Sequence, residues 1–220
     1  MTAYVLLSGF DKNGFFDTVS KNLKNIITDT KNLLFIASNP EVFDKTDNYS
    51  QRIFNFFKDI EIDFESYTVL DKRMSDDEQK KSFSKTSCIF LMGGETLTQY
   101  EYLKQQNLIE YLLDYNGVII GLSAGAINMA ERSVIANPNY PPVRIYNGIG
   151  LADITVIPHF HEITADYIKE EILPLTYDST IYGLYDDAII SVNNRTKKHS
   201  GTIYKLKQGN MKLLSDSEDI

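Results

Sequence analysis

Short apolar segments alternate with segments of helical periodicity, and this alternation constrains the fold more than any other feature of the chain. Continuous apolar strands of about five residues, separated by helices, are typical of a parallel sheet covered on both faces. We therefore predict an α/β fold with three layers, built on a doubly wound and mostly parallel sheet. The predicted strands are Tyr4–Leu7, Asn32–Ala37, Ser66–Leu70, Cys88–Met92 and Gly117–Gly121.

The connecting segments carry apolar residues at the spacing of amphipathic helices. Ser75 and Glu78 have the spacing of a capping box at the start of one of them. The predicted helices are Phe15–Ile27, Asp47–Ile60, Ser75–Ser84, Thr96–Gln106 and Leu108–Asp114.

The pattern loosens after Met129. Glu131–Gly150 contains three of the six prolines and is predicted to be a long loop. Further on we predict strands at Ile154–Ile157, Thr180–Leu184 and Ala188–Asn193, a helix at Thr164–Leu173, and a terminal hairpin of Thr202–Lys207 with Met211–Leu214. Because no linker or repeat divides the sequence, residues 1–220 are predicted to form a single domain.

Charge and composition exclude several classes of protein. The 220 residues carry a formal net charge of −8, which argues against nucleic-acid and anionic-membrane partners because both require a basic face. The apolar run near the amino terminus is too short for a signal peptide, and no stretch is long enough to span a membrane. The single cysteine, Cys88, cannot form an internal disulfide. We expect a cytoplasmic protein.

The most informative segment runs from Gly121 to Gly125, with the sequence Gly-Leu-Ser-Ala-Gly. It lies where a predicted strand ends and a helix begins, which is the context of a nucleophile elbow. The two glycines allow strand and helix to pack closely, and the turn would hold Ser123 in a strained conformation with its hydroxyl projecting outward. The alternative is a serine that merely caps the helix.

A second segment, Met92-Gly93-Gly94-Glu95, follows the preceding strand. The carboxyl ends of neighbouring strands face the ligand crevice of a doubly wound sheet, so glycine amides here could bind an oxyanion. A tight turn that needs glycine for conformational reasons is the alternative.

A reactive serine requires a base, and the chain offers three histidines. His199 lies in a polar run predicted to be an exposed hairpin turn. His159 directly follows a predicted strand and is therefore the favoured base, with His161 two residues further on. The spacing of these residues indicates no metal site, and no cofactor is predicted.

An acid must then orient the imidazole. Asp186 and Asp187 interrupt two apolar strands, where paired carboxylates serve no packing purpose. Asp153 and Glu162 are the competing acids, and an exposed Asp-Asp turn is the structural alternative.

Together these motifs resemble the S51 serine peptidases, the relatives of aspartyl dipeptidase and, more distantly, of cyanophycinase. The resemblance rests on Gly-Leu-Ser123-Ala-Gly-Ala, Gly93-Gly94, Pro-His159-Phe and Gly-Leu-Tyr-Asp186, and it runs from about Leu34 to Val192. It implies a flavodoxin-like fold similar to that of class I glutamine amidotransferases, with serine in place of their cysteine. The order Ser, His, Asp differs from the Ser, acid, His order of the α/β-hydrolases.

The resemblance also implies roles for individual residues. Ser123 would be the nucleophile, His159 the general base and Asp186 the acid, while Gly94 and the amide of Ala124 would form the oxyanion hole. Gly93 and Glu95 are the candidate contacts to a small peptide substrate, and Glu95 could either contact a peptide's amino terminus or repel an anionic substrate. The family's Gly-Gly-Gly-Asn segment reads Met-Gly-Gly-Glu here, and the arginine that holds the substrate's aspartate in aspartyl dipeptidases aligns with Ala165.

Two other functions stay open at this stage. One is a peptide-binding domain without catalytic turnover, and the other is an amidotransferase-like glutaminase. The latter would need a cysteine at the elbow and a His-x-Glu pair, where this chain has Ser123 and His159-Phe-His161. The sequence does not determine the oligomeric state, and a homodimer is one option.

Overall fold

A computed structural model describes residues 2–139, 142–193, 196–215, 218 and 220. Its amino-terminal part alternates strand and helix as the sequence predicts. In chain order the elements are β1 (Ala3–Leu7), α1 (Asp17–Ile26), β2 (Asn32–Ile36), α2 (Phe43–Asp59), β3 (Ser66–Leu70), α3 (Asp76–Ser84), β4 (Cys88–Leu91), α4 (Thr96–Gln105), α5 (Ile109–Leu113), β5 (Val118–Leu122) and α6 (Ala124–Met129).

The carboxyl-terminal part is richer in short strands. It comprises β6 (Arg132–Ile135), β7 (Arg144–Asn147), β8 (Thr155–Ile157), α7 (Ala165–Tyr167), β9 (Ile181–Leu184), β10 (Ile189–Asn193), β11 (Thr196–Ser200), β12 (Ile203–Lys207) and β13 (Asn210–Leu213).

The central sheet has seven strands in the order β11-β10-β1-β5-β4-β2-β3. Strands β1 to β5 are parallel to one another; β10 pairs antiparallel with β1, and β11 pairs antiparallel with β10 at the edge of the sheet. The chain moves outward from β1 to β3 and then returns through β4 to β5. Because crossovers between parallel strands are right-handed, this reversal places the early and late helices on opposite faces.

The packing confirms the predicted three-layer fold. On one face, Leu23 of α1 and Phe57 of α2 pack against Phe35 and Phe90 of the sheet. On the other face, helices α3 to α6 pack against alternate residues of the same strands, including Leu34 and Ile89. Strands buried on both faces explain why their sequences are continuously apolar.

The connections after neighbouring strands diverge at two places in this sheet. The chain leaves β1 toward α1 but leaves the adjacent β5 toward α6, on the opposite face; β2 and β4 diverge in the same way. Such switch points open a crevice beyond the carboxyl ends of the strands. Any residue that directly follows β1, β2, β4 or β5 is therefore placed near this crevice.

A second, four-stranded sheet in the order β13-β12-β9-β8 packs beside the central one. Leu6 and Ile190 of the central sheet share a buried cluster with Val156, Leu184 and Ile203 of the second. The predicted terminal hairpin is confirmed as β12 and β13.

The prediction of one long loop across Glu131–Gly150 is wrong. Strands β6 and β7 pair antiparallel within it, from Arg132 opposite Asn147 to Ile135 opposite Arg144. The described prolines of this segment lie between the two strands, so the turn composition of the connection obscured the short strands beside it. Residues 140 and 141 lie outside the described residues.

Two other predictions need correction. The helix expected at Thr164–Leu173 is regular only over Ala165–Tyr167; it continues as a π turn (Ile168–Ile172) and a 3₁₀ turn (Leu173–Thr176). Pro174 lies in that last turn, where a missing N–H prevents a regular α-helix. The polar run at 194–201 is mostly strand β11 rather than a turn, with residues 194 and 195 outside the described part.

Other boundaries move by a few residues, and the predicted capping box of Ser75 and Glu78 is confirmed at the start of α3. In the described part of the chain, no helix combines the length and the apolar character needed to cross a membrane.

Candidate active site

Ser123 lies in the turn between β5 and α6, with φ of 48° and ψ of −105°. Its backbone N–H donates to the carbonyl of Leu7, which ties the turn to the end of β1. The turn is tight enough that neither neighbouring glycine could carry a side chain. A Cβ at Gly121 would lie 2.7 Å from the amide nitrogen of Ala126, and one at Gly125 would lie 2.2 Å from the carbonyl oxygen of Leu91.

His159 follows β8 and Pro158, and its backbone is left-handed, with φ of 52° and ψ of 35°. A non-glycine residue in this region is uncommon and needs support from its surroundings. The His159 backbone N–H donates to the hydroxyl of Ser8 over 2.7 Å, and its carbonyl accepts from the amide of Glu162 in the following 3₁₀ turn. These bonds hold the imidazole at the end of the strand.

Asp186 lies in the turn between β9 and β10. Its Oδ1 accepts hydrogen bonds from Nδ1 of His159 at 2.8 Å and from the hydroxyl of Ser8 at 2.9 Å. Asp187 faces elsewhere, because its carboxylate accepts from the backbone N–H and hydroxyl of Thr202. The structure therefore separates two adjacent aspartates that the local sequence pattern did not distinguish, although the family resemblance favoured Asp186.

Ser123, His159 and Asp186 form one continuous chain of hydrogen bonds. Nε2 of His159 lies 3.1 Å from Oγ of Ser123, and its Nδ1 lies 2.8 Å from Asp186. With Nδ1 protonated toward the carboxylate, Nε2 is free to accept a proton. Ser123 follows β5 of the central sheet, whereas His159 and Asp186 follow β8 and β9 of the second sheet, so strand ends from both sheets meet at this site.

Electrostatics in this chain favour a basic imidazole. The hydrogen bond with Asp186 raises the pKa of His159 above its ordinary value, although partial burial opposes the shift. Burial alone would raise the pKa of Asp186, but hydrogen bonds from His159 and Ser8 outweigh it and hold that pKa below its ordinary range. The acid is therefore ionised at neutral pH beside a strengthened base.

The glycine segment after β4 lies against Ser123. A Cβ at Gly93 would come within 3.4 Å of the Ser123 Cβ, so the two turns are in contact. Gly94 has φ of 136°, and a Cβ there would lie 2.3 Å from the hydroxyl of Ser38. Position 94 therefore favours glycine, because any other residue would be strained there.

Glu95 is exposed but held in place by two hydrogen bonds. Its oxygens accept from the side chains of Asn39 at 2.9 Å and Thr98 at 3.0 Å. These bonds lower the pKa of Glu95, with a smaller contribution from the charge of Lys45. A fixed, ionised carboxylate therefore stands at the end of the glycine segment.

One cavity of about 500 Å³ collects most of the predicted site residues. This volume is typical of small-ligand sites. Gly93, Gly94, Glu95, Ser123, His159 and Asp186 line it, together with apolar residues that include Phe10, Val42 and Leu122. Ala124 does not line this cavity; it is buried, directly after Ser123.

The other candidate residues lie apart from this chain of hydrogen bonds. Asp153 lines a different cavity, and Glu162 approaches His161 at 3.9 Å. His161 lies outside β8, with Nε2 4.0 Å from Oδ2 of Asp186. His199 belongs to β11, where it is half-buried with Nε2 2.8 Å from the carbonyl oxygen of Glu218, so its prediction as an exposed turn residue is wrong.

Residues 2–139, 142–193 and 196–215 contain no group of three or more His, Cys, Asp or Glu side chains able to hold a metal ion. Cys88 is fully buried in β4, and burial raises the pKa of its thiol. A buried, protonated thiol is a poor nucleophile.

Sequence reasoning missed residues that support the site from behind. Ser8 contacts both His159 and Asp186, yet a lone serine after a strand carries no local signal. The buried amide of Gln99 donates toward carbonyls that end β2 and β4, including that of Met92 at 3.1 Å. Asn128 of α6 in turn donates to Gln99. This polar network fixes the turn before Gly93.

Comparison with known proteins identifies the family. Residues 4–199 match the family model of peptidase family S51. The chain belongs to peptidase family S51. It is accordingly a serine peptidase, a hydrolase, and the resemblance found in the sequence motifs is confirmed.

Two solved structures share the fold. A peptidase from an acI-B1 Actinobacterium superposes with a TM-score of 0.70 at 17% identity, covering 100% of this chain and 96% of its own. A candidate peptidase E protein from Listeria monocytogenes EGD-e gives 0.66 at 19% identity, covering 91% of this chain and 98% of its own. A search of curated protein sequences finds no match.

Proposed function

We propose that this peptidase cleaves small peptides through a catalytic triad of Ser123, His159 and Asp186. The observation that carries the proposal is the unbroken hydrogen-bond chain of 3.1 Å and 2.8 Å through the imidazole. Nucleophile, base and orienting acid in this order are the arrangement that activates a serine hydroxyl at neutral pH. The left-handed φ of Ser123 supports its role in a nucleophile elbow.

In the proposed reaction, Oγ of Ser123 attacks the scissile carbonyl carbon while its proton moves to Nε2 of His159. The resulting imidazolium is stabilised by the ionised Asp186. His159 then gives the proton to the leaving amine as the carbon–nitrogen bond breaks, leaving an acyl-enzyme. Water then attacks the acyl carbon as His159 takes its proton, and the bond from that carbon to Oγ breaks as His159 returns the proton to Ser123, releasing the carboxylic acid product.

We assign the oxyanion hole to the backbone amides of Gly94 and Ala124. Ala124 follows Ser123 at the start of α6, and the Gly93–Gly94 turn packs against the other side of the serine. Two such amides would stabilise the tetrahedral intermediate, and loss of one donor typically costs about 10²–10³ in rate.

We assign substrate contacts to Gly93 and Glu95. The α-amino nitrogen of an amino-terminal residue is two bonds from the scissile carbonyl carbon, so it must lie close to the oxyanion hole. The carboxylate of Glu95 lines the same cavity, and each of its oxygens keeps a second lone pair beside the bond that it accepts from Asn39 or Thr98. Glu95 is therefore suited to bind a free substrate amine.

A fluorophosphonate probe tests the nucleophile without knowledge of the substrate. We expect it to add one phosphonyl group to the wild type, measured by intact mass, and none to Ser123→Ala. Ser133→Ala is the matched control, because Ser133 is buried and donates to the carbonyl of Ile127. Equal labelling of wild type and Ser123→Ala would refute the assignment of Ser123.

A peptide panel tests the substrate class. We expect hydrolysis of short peptides with a free amino terminus, weaker hydrolysis of their N-acetylated forms, and a smaller difference between the two in Glu95→Gln. Binding without cleavage would instead indicate a silent peptide-binding domain. Ammonia release from glutamine would support a glutaminase, which the burial of Cys88 disfavours.

A further inference from the structure

We propose that Ser8 is a positioning residue that fixes the base, His159, and the acid, Asp186, relative to each other. The inference rests on the proposed function, since it presupposes that His159 and Asp186 act together on Ser123. Ser8 is completely buried, directly follows β1, and is 178 residues away in sequence from Asp186.

The contacts of the Ser8 hydroxyl connect three separate segments. Its oxygen accepts the backbone N–H of His159 at 2.7 Å, and it lies 2.9 Å from Oδ1 of Asp186 and 3.1 Å from the carbonyl oxygen of Leu184. A hydroxyl has one proton to donate, and an ionised carboxylate is a stronger acceptor than a backbone carbonyl. The proton of Ser8 is therefore directed mainly to Asp186.

This position follows from the topology of the sheet. Strand β1 lies between β5 and β10, and Leu7 is paired with Leu122 on one side and Ile189 on the other. The residue after Leu7 consequently stands between the turn that carries Ser123 and the turn that carries Asp186. A side chain at position 8 can reach both halves of the site.

The hydrogen bonds of Ser8 to His159 and to Asp186 have different effects. The bond to the His159 amide supports a backbone in the left-handed region, which is strained for a non-glycine residue. The bond to Asp186 leaves the carboxylate with two donors on the same oxygen, His159 and Ser8. Ser8 thereby fixes the direction from which Oδ1 meets the imidazole.

Removing the hydroxyl should loosen this contact and change the titration of His159. The groups facing the imidazole are Asp186 and Glu162, and those facing the carboxylate are His159, His161 and Ser8. The hydrogen bond from His159 to Asp186 is the largest cause of the raised imidazole pKa. We therefore expect Ser8→Ala to move that pKa down, toward its ordinary value.

The experiment measures the second-order rate of fluorophosphonate labelling against pH for wild type, Ser8→Ala and Ser82→Ala. Ser82 is a buried serine of α3 whose hydroxyl donates to the carbonyl of Gln79, so its replacement controls for the loss of a buried hydroxyl. We expect Ser8→Ala to lower the plateau rate about 10- to 100-fold, the range for losing a hydrogen bond to a charged group. Its midpoint should also shift to lower pH.

A direct NMR titration of the His159 imidazole provides a readout that does not depend on activity. Ser8→Cys is the second variant, because a thiol is similar in shape but a weak donor, and it serves if alanine prevents folding. An unchanged rate and midpoint in a folded Ser8 variant would overturn the proposal, as would lower thermal stability alone. Labelling of Ser123→Ala would instead overturn the proposed function. The NMR titration of His159 would then still test whether Ser8 positions the imidazole.

Discussion

Replacing Gly9 with alanine should disable the site by displacing Asp186, without altering any reacting group. An ideal Cβ at Gly9 would lie 2.5 Å from both Cγ and Oδ1 of Asp186. Gly9 does not have a positive φ, so alanine there avoids the strain of the left-handed region. The carboxylate must withdraw by about 0.9 Å to reach ordinary contact at 3.4 Å.

That displacement is large compared with the hydrogen bond it affects. If Oδ1 withdraws along its 2.8 Å bond with His159, that distance becomes about 3.7 Å, beyond hydrogen-bonding distance, and withdrawal in another direction lengthens it less. A misplacement of about 1 Å can cost about 10²-fold in rate, and full loss of the acid's function costs about 10⁴. We expect Gly9→Ala to reduce kcat between these limits, with a small effect on KM.

The assay combines steady-state kinetics on a cleaved peptide with circular dichroism to verify the fold. A double-mutant cycle with Asp186→Asn separates the proposed cause from general damage. Because the alanine methyl acts through the carboxylate, Gly9→Ala should cost much less in the Asp186→Asn background than in the wild type. A folded Gly9→Ala enzyme with kcat within twofold of wild type would refute this reasoning, as would full additivity of the two changes.

Four further outcomes are expected. Because the pKa of His159 is raised, neutral base is lost as pH falls through that value, and the acid limb of kcat/KM should lie above the ordinary imidazole pKa of 6.5; a midpoint at or below it contradicts the assignment. Gly125→Ala should abolish soluble folded protein or labelling, because its Cβ would lie 2.2 Å from a β4 carbonyl oxygen; a normal melting curve with normal labelling contradicts this. Arg73→Met should lower the free energy of unfolding in urea by about 1–3 kcal/mol, since it leaves the buried carboxylate of Asp71 without its guanidinium partner; an unchanged midpoint contradicts this. Cys88 should resist iodoacetamide in the native protein and react once guanidinium unfolds it; rapid native labelling contradicts its burial.

The central fold was predictable because its signals are local. Four of the first five strands are largely apolar runs, β3 is rich in β-branched and aromatic residues, and the helices between them carry their own periodicity and, at Ser75, their own cap. The prediction failed where the local signals were mixed. Strands β6 and β7 are short and flank a connection rich in proline, so its turn composition dominated the whole segment.

In the candidate site, too, the residues with a local sequence signal were predictable and those that depend on the fold were not. Ser123 lies in a local Gly-x-Ser-x-Gly string, and His159 follows a strand and a proline, so both could be proposed from the chain. The choice between Asp186 and Asp187 depends on which way the turn between β9 and β10 faces, which the local sequence does not indicate; only the family resemblance favoured Asp186 before the structure. Strand order was not predictable at all, because nothing local indicates that β10 pairs with β1.

The pairing of β10 with β1 explains why position 8 needs a polar side chain while the next position, Gly9, can carry no side chain. With β10 beside β1, the turn that carries Asp186 lies against the end of β1. The Asp186 carboxylate needs both a hydrogen-bond donor and space at that point. Ser8 provides a donor to the carboxylate, while the missing side chain of Gly9 leaves it room. If Ser8 only stabilised the fold, its replacement would lower the melting temperature and leave the titration of His159 unchanged. The proposed positioning role requires that titration to move, so the two explanations give different results in the same sample.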